Sequence, residues 1–151
     1  MAHDSVIYLP TKHDYAELTQ VWEASVRATH DFLPENYITL LRHLLETQYL
    51  DTVKLFGTRD SRGHITGFAG ISRGKLEMLF IAPDCRGMGL GKMLLDHAIK
   101  LFQVTDLDVN EQNPQALGFY EKQGFVVVGR SEVDGLGRPY PMLRMRLAQN
   151  G

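Results

Sequence analysis

The sequence predicts a mixed α/β domain, and three observations carry that expectation. Segments whose apolar residues recur at helical spacing alternate with short β-rich runs, in the order β-α-α-β-β-β-α-β-α-β-β. Three of the β-rich runs follow one another across turn sequences, as in an antiparallel meander. A glycine-rich segment lies between an apolar strand and an amphipathic helix. The chain has 151 residues, of which 44% are hydrophobic and 23% charged, as in an ordinary globular protein that buries about two-thirds of its unfolded surface. It has no internal repeat, no linker rich in Ser, Gly or Pro, and no run of like charge, so residues 1–151 read as one domain.

Residues 6–9, beginning at Val6, are a β-type run stopped by Pro10. Thr11 then precedes Tyr15, Leu18, Val21, Trp22 and Val26, whose spacing predicts an amphipathic helix. Past Thr29-His30-Asp31-Phe32-Leu33, Pro34 suits the first position of a second helix, with Tyr37, Leu40, Leu41, Leu44 and Leu45 on its apolar face. Residues 52–58, 65–72 and 75–81 make the meander, separated by Asp60-Ser61-Arg62-Gly63 and Arg73-Gly74. Leu90, Met93, Leu94, His97, Ala98 and Leu101 predict one face of a third helix, and residues 107–109 a short strand. Asn113 is an N-cap before Pro114 at the start of a fourth helix, which runs through Tyr120 until Gly124 stops it. Residues 125–133 and 142–147 form a last hairpin across Asp134-Gly135-Leu136-Gly137.

Composition excludes several classes of function. Sixteen Lys and Arg against eighteen Asp and Glu leave a net charge of −2, so no basic field exists to hold a phosphate backbone, and nucleic acid is not expected as a partner. One cysteine cannot close an internal disulfide. No apolar run approaches 18 residues, and MAHDSVIYLP lacks the basic head and apolar core of a leader, so no membrane is expected and the cytoplasm is the natural compartment. The six histidines show no HExxH or other tight ligand spacing, and no metal site is expected.

The most informative segment runs Leu79-Phe80-Ile81-Ala82-Pro83-Asp84-Cys85-Arg86-Gly87-Met88-Gly89-Leu90-Gly91-Lys92. Its glycines let the backbone approach a ligand closely, and free N–H groups at a helix start attract anions. Arg86 and Lys92 add positive charge at the two ends, which suits a pyrophosphate. A Walker A loop would need glycine at position 86 and Ser or Thr at 93, where Arg86 and Met93 stand. The dinucleotide pattern GxGxxG fits Gly87 and Gly89 but meets Lys92 in place of its third glycine. Such folds also usually open with this loop, whereas about 80 residues precede it here, so a nucleotide-binding oxidoreductase is a remote alternative.

Arg86-Gly87-x-Gly89-x-Gly91, after an apolar strand and an Ala-Pro-Asp turn, resembles the coenzyme A loop of the GNAT family of N-acetyltransferases. Asn113-x-x-Ala116-x-x-Phe119-Tyr120-Glu121-Lys122-x-Gly124-Phe125 is similar to that family's second block, a helix leading into the sixth strand. The resemblance implies a mostly antiparallel central sheet flanked by helices. It further implies direct transfer of an acetyl group from acetyl-CoA to a primary amine, in a ternary complex, by a monomer or homodimer. The acceptor, a small molecule or a peptide, is not readable.

The resemblance also assigns roles. Main-chain groups of Leu79, Phe80 and Ile81 would hold the pantetheine arm, and residues 107–109 would splay away to leave room for it. Arg86, Gly87, Met88, Gly89, Leu90, Gly91 and Lys92 would take the diphosphate. An alkyl amine of pKa near 10.4 is only about one part in two thousand unprotonated at pH 7, so a base helps. Glu77 at the start of the incoming strand fits that role, directly or through water, or is a solvated strand carboxylate. A phenol can protonate the departing thiolate, and Tyr120 stands where the family keeps its acid. Asn113 would touch the coenzyme, although N-capping alone also explains it. His30, with Phe32, lies in a loop that would line the acceptor pocket, and Tyr140 in the loop of residues 135–141 would wall it. A non-catalytic coenzyme A sensor or interaction module would keep the glycine loop and have no use for Tyr120. Cys85, though near a helix start, has no histidine partner in the sequence and is not expected to act as a nucleophile.

Overall fold

A computed structural model describes residues 7–148, so Val6 of the first expected strand lies outside the described residues. The elements are β1 (Ile7–Tyr8), α1 (Tyr15–Thr29), α2 (Glu35–Thr47), β2 (Lys54–Arg59), β3 (Ile65–Ser72), β4 (Lys75–Ile81), α3 (Leu90–Phe102), β5 (Asp106–Asn110), α4 (Pro114–Lys122), β6 (Phe125–Ser131) and β7 (Met142–Leu147). Their order is the one the sequence predicts. Among the described residues the strands form one seven-stranded sheet in the order β1-β2-β3-β4-β5-β7-β6. Every neighbouring pair is antiparallel except β4 with β5.

Helices cover both faces. On one side Leu18, Val21, Trp22 and Val26 of α1 and Ile38 and Leu45 of α2 pack on Ile65, Phe68 and Met78 of the sheet. On the other, Leu94, Leu95 and Ala98 of α3 and Tyr120 of α4 pack on Phe56, Ala69, Leu76, Leu107, Val109 and Met145. No helix among the described residues is long and apolar enough to cross a membrane.

Several boundaries differ from expectation for local reasons. Pro34 stands just before α2 in extended backbone, φ −70° and ψ 155°, and its carbonyl accepts the N–H groups of Tyr37 and Ile38 at 3.0 and 3.1 Å. Its place is therefore the cap and not the first helical position. Tyr49–Thr52 winds into a 3₁₀ turn that buries Leu50, and the Thr52 hydroxyl donates to the Tyr49 carbonyl at 2.8 Å, so β2 begins at Lys54 and not at Thr52. Leu101 is 66% exposed, and Leu95, fully buried, takes its place on the inner face of α3. Phe102 turns that face inward by stacking on Phe56, with ring centroids 5.5 Å apart. β6 ends at Ser131, short of Val133, where the Ser131 hydroxyl donates to the Val133 carbonyl at 2.7 Å and starts the turn early.

One irregularity positions the site. In the β3–β4 ladder Gly70 faces Met78 and Ile71 faces Leu76, which leaves Glu77 as an extra residue, a β-bulge. The extra residue reverses the side-chain alternation: Leu76 shares its face with Leu79 and Ile81, while Met78 and Phe80 point to α1 and α2. Immediately before the bulge β4 and β5 are paired, Lys75 with Asp106 and Leu76 with Leu107, and past it no pairing follows. The two strands part there, as the resemblance implied. An ion pair from Lys75 Nζ to Asp108 Oδ2 at 2.7 Å spans the closed end. At a partly exposed site it adds less than about 1 kcal/mol, so burial of Leu76 and Leu107, each contributing roughly 1.5–3 kcal/mol, dominates the clamp.

Gly70, opposite the bulge, has no room for a side chain: a Cβ there would lie 2.8 Å from Val53 Cγ2, 3.2 Å from Val53 Cβ and 3.3 Å from Met78 Sδ. Gly70→Ala is expected to lower stability by about 1–3 kcal/mol, read as a lower urea midpoint at unchanged m-value.

Candidate active site

Where β4 and β5 diverge, they enclose a cavity of about 410 Å³ that reaches from the end of α1 to the starts of α3 and α4. Of the residues the sequence singles out, Glu77, Leu79, Phe80, Ile81, Arg86, Gly87, Gly89, Leu90, Gly91, Asn113, Tyr120 and His30 line it. Met88, Lys92, Phe32 and Tyr140 do not. Met88 is 46% exposed, and Lys92 Nζ lies 2.8 Å from Asp96 Oδ2 on the outer face of α3. Any part these two play in holding a ligand falls to their main-chain amides.

The glycine segment has the backbone geometry an anion cradle needs. Ala82 N–H donates to the Thr66 carbonyl at 2.8 Å, Pro83 then ends the strand, and Pro83–Cys85 makes one 3₁₀ turn. Gly87 and Gly89 take φ of +78° and +80°, a left-handed backbone that glycine adopts without strain, and a Cβ at either would meet nothing within 4 Å. Gly89 is the residue before α3, and the first bond into the helix runs from Met93 N–H to the Gly89 carbonyl at 3.0 Å. The amides of residues 87–92 have no acceptor among the described residues. No acidic side chain occupies the first turn of α3, so the positive end of its dipole is uncompensated. Arg86 adds a guanidinium at the rim, its Nη2 3.5 Å from the Ser25 carbonyl at the end of α1.

Along β4 the polar groups divide by alternation. Since Ala82 N–H points at β3, the two-residue period of an antiparallel ladder points the main-chain groups of Phe80 toward β3 as well, and those of Leu79 and Ile81 into the slot. Leu79 and Ile81 can therefore hold a ligand by main-chain bonds. Phe80 contributes its ring, packed on Phe68 and Trp22 with centroids 5.8 and 6.5 Å away.

On the facing wall, Asn113 caps α4 by accepting the Ala116 N–H at 3.3 Å, as its N-cap reading expects, and it also borders the cavity. Tyr120 is 9% exposed, with Phe119 and Phe125 edge-on to its ring at 5.2 and 6.0 Å. Its hydroxyl has no hydrogen-bond partner among the described residues, and burial pushes the phenol well above its ordinary 10, so it remains a proton donor at neutral pH. Glu77, turned by the bulge, keeps a partly exposed carboxylate 3.6 Å from Lys75 Nζ. Burial, and then the neighbouring Asp84, raise the Cys85 thiol, which is the reverse of what a thiolate nucleophile needs.

At the α1 end, His30 Nδ1 lies 2.7 Å from Thr29 Oγ1, and burial followed by the Arg86 charge holds the imidazole below its ordinary 6.5. Phe32 and Tyr140, expected at the acceptor pocket, do not line this cavity and pack beside it. The rings of His30 and Phe32 are 5.3 Å apart, those of Phe32 and Tyr140 6.0 Å, and Tyr140 stacks on Tyr37 at 5.4 Å. Tyr37 donates to Asp134 and carries Arg138 over its ring at 4.4 Å. This aromatic chain ties the α1–α2 loop to the β6–β7 loop beside the cavity. The spacing of Tyr37 predicts only a core residue of α2 and gives no sign of Asp134. Ser25, Thr29, Asp108, Asn110, Gln115 and Met142 also line the cavity and carry no sequence signal, because the opening of the slot recruits them.

A family model described as an acetyltransferase (GNAT) domain matches residues 33–147. The peptidyl-lysine N-acetyltransferase YjaB of Escherichia coli (strain K12) is 46% identical over 129 residues, 85% of this chain and 87% of that protein. The solution structure of apo-form YjaB from Escherichia coli aligns with a TM-score of 0.87 and 42% identity, over 95% of this chain and 97% of that one. The crystal structure of the PaiA N-acetyltransferase from Thermoplasma acidophilum in complex with coenzyme A aligns with a TM-score of 0.73 over 94% of this chain and 98% of that one. At 22% identity it bears on the fold alone.

Two glycines of the loop are expected to respond differently to alanine. Gly89→Ala forces an L-residue into left-handed backbone and should cost roughly 1–2 kcal/mol. Gly91 is helical, and its Cβ would make an ordinary contact with Phe119 at 3.5 Å. Gly91→Ala should therefore be neutral or stabilising by up to about 1 kcal/mol. Urea unfolding of the two ligand-free variants separates them, and equal effects would contradict the loop geometry.

Proposed function

The chain belongs to the GNAT family of acetyltransferases, and on that premise we propose that it acetylates the side-chain amine of peptidyl-lysine with acetyl-CoA, by direct transfer in a ternary complex, with residues 1–151 acting as one domain. The acceptor class follows what its relative YjaB is named for. The observation that carries the reading is the row of unpaired amides at residues 87–92, opening with Arg86 onto the same cavity as Tyr120.

The fit to coenzyme A is chemical. Unpaired amides at the start of a 13-residue helix, together with a guanidinium, suit a diphosphate. The free main-chain edge of β4 at Leu79 and Ile81 suits the amides of the pantetheine arm, and one N–H there can polarise the thioester carbonyl. The lysine arrives as an ammonium, Glu77 supplies a carboxylate on the wall to draw it in, and a base lining the same cavity takes its first proton, directly or through water. The nitrogen then forms the C–N bond as the C–S bond breaks. Tyr120 gives its phenolic proton to the departing sulfur and is refilled by the second proton lost from nitrogen. The balance is one ammonium and one thioester to one amide, one thiol and one proton released.

A coenzyme sensor would need the cradle but not a buried phenol without a partner at its mouth, and that hydroxyl favours catalysis. Release of free thiol from acetyl-CoA, followed across lysine peptides and small amines, tests the function. Lysine-dependent release is expected, whereas coenzyme binding without turnover on any amine would favour the sensor. Protection against heating by NAD and not by acetyl-CoA would overturn both. Tyr120→Phe is expected to bind acetyl-CoA within about twofold of the parent and to turn over at least about tenfold more slowly. Unchanged turnover would remove Tyr120 from the acid role.

A further inference from the structure

We propose that His30 is the base that removes the first proton from the acceptor ammonium, its ring held by Thr29 so that the Nε2 lone pair is free. The inference rests on the acetyl-transfer reading and deepens it. Thr29 Oγ1 lies 2.8 Å from the Ser25 carbonyl and 2.7 Å from His30 Nδ1. A hydroxyl carries one proton, and the carbonyl can only accept, so that proton goes to Ser25. The bond to His30 then has Nδ1–H as its donor, and in a neutral imidazole this leaves Nε2 as the acceptor. Ser25, Thr29 and His30 all line the cavity that Tyr120 borders, so this chain of bonds forms its wall.

The groups that face His30 favour the neutral ring. Arg86 approaches from the glycine segment, where its guanidinium shares the Ser25 carbonyl with Thr29, and Asp31 opposes it from the turn of His30 itself. Phe32 covers the ring at 5.3 Å, and Cys85, Glu77 and Tyr120 stand along the same cavity from the loop, β4 and α4. Burial and the Arg86 charge outweigh Asp31 and hold the imidazole below its ordinary range. The Glu77 carboxylate already has the Lys75 cation 3.6 Å away. Glu77 is left to attract the cation. In the step itself an N–H bond of the ammonium breaks, its electron pair stays on nitrogen to make the C–N bond, and the proton forms Nε2–H. The imidazolium later returns it to water.

A base works only when unprotonated, so kcat should fall as pH drops through the His30 pKa, with a midpoint below 6.5. Measurement of kcat and KM against pH, with acetyl-CoA and a lysine peptide, is made for the parent protein, His30→Gln and Glu77→Gln. His30→Gln is expected to lose that acid limb and to lower kcat at least about tenfold, with the KM for acetyl-CoA within about twofold. Glu77→Gln should keep the limb. Long-range ¹H–¹⁵N spectra of the parent protein should show His30 protonated at Nδ1, and Thr29→Val should release that preference; this readout needs neither turnover nor a His30 variant. An unaltered limb in His30→Gln, loss of the limb in Glu77→Gln instead, or an Nε2–H tautomer in the parent protein would overturn the assignment. A parent protein that releases no thiol with any amine would instead sink the function on which it rests.

Discussion

Strands β4 and β5 share two register pairs, Lys75 with Asp106 and Leu76 with Leu107, and then run apart. The rest of the site depends on that early end of pairing. A parallel ladder continued to Ile81 would fill the space between the strands with their own hydrogen bonds and leave no cavity. The bulge at Glu77 enforces the ending, because one extra residue both bends β4 and exchanges the faces of its side chains. Leu79 and Ile81 then lie on the α3 side beside the open edge, and Met78 and Phe80 brace the strand against α1 and α2. Gly70 permits this by leaving space for Val53 and Met78 opposite the bulge.

Charge near the slot is arranged locally, in a chain whose net charge is −2. The start of α3 carries no acidic residue, Gly87 and Gly89 turn amides outward, and Arg86 sits at the rim. Lys92 is withdrawn into an i, i+4 pair with Asp96, so the helix end and one guanidinium supply most of the attraction for an anion. Helix-end fields fall off within a turn. The fold meets that limit by bringing the starts of α3 and α4 to one cavity, while the last residues of α1, a negative helix end, face the Arg86 guanidinium.

What was legible in the sequence was what short stretches of chain decide for themselves. Asn113 before Pro114 announces a helix start, and the capping bond to Ala116 follows. Glycines after an apolar strand and before a helical pattern announce a cradle, and the positive φ of Gly87 and Gly89 follows. What was not legible is decided by partners distant in sequence. The bulge is a relation between β3 and β4, invisible in Lys75–Ile81 alone. Helical spacing favours Leu101 over Leu95, yet Leu95 is fully buried and Leu101 exposed, because the face that α3 turns to the sheet is the one on which Phe102 stacks on Phe56. The loops of Phe32 and Tyr140 predict pocket residues, whereas Tyr37 and Asp134, linked across 97 positions, draw them into a brace.

Burial does opposite service for the two groups we propose to move protons. It disfavours whichever form of a group is charged. For the Tyr120 phenol the charged form is the deprotonated one, so burial keeps the proton on and the pKa rises. For the His30 imidazole the charged form is the protonated one, so burial keeps the proton off and the pKa falls. One cavity thus holds a group that keeps its proton and a group that sheds it, both through burial. The arrangement suits a reaction that removes a proton from an ammonium and returns one to a thiolate, because neither group starts in a charged state that burial would penalise. Arg86 would serve both proposed roles, because a cation that draws a diphosphate also repels a proton from His30.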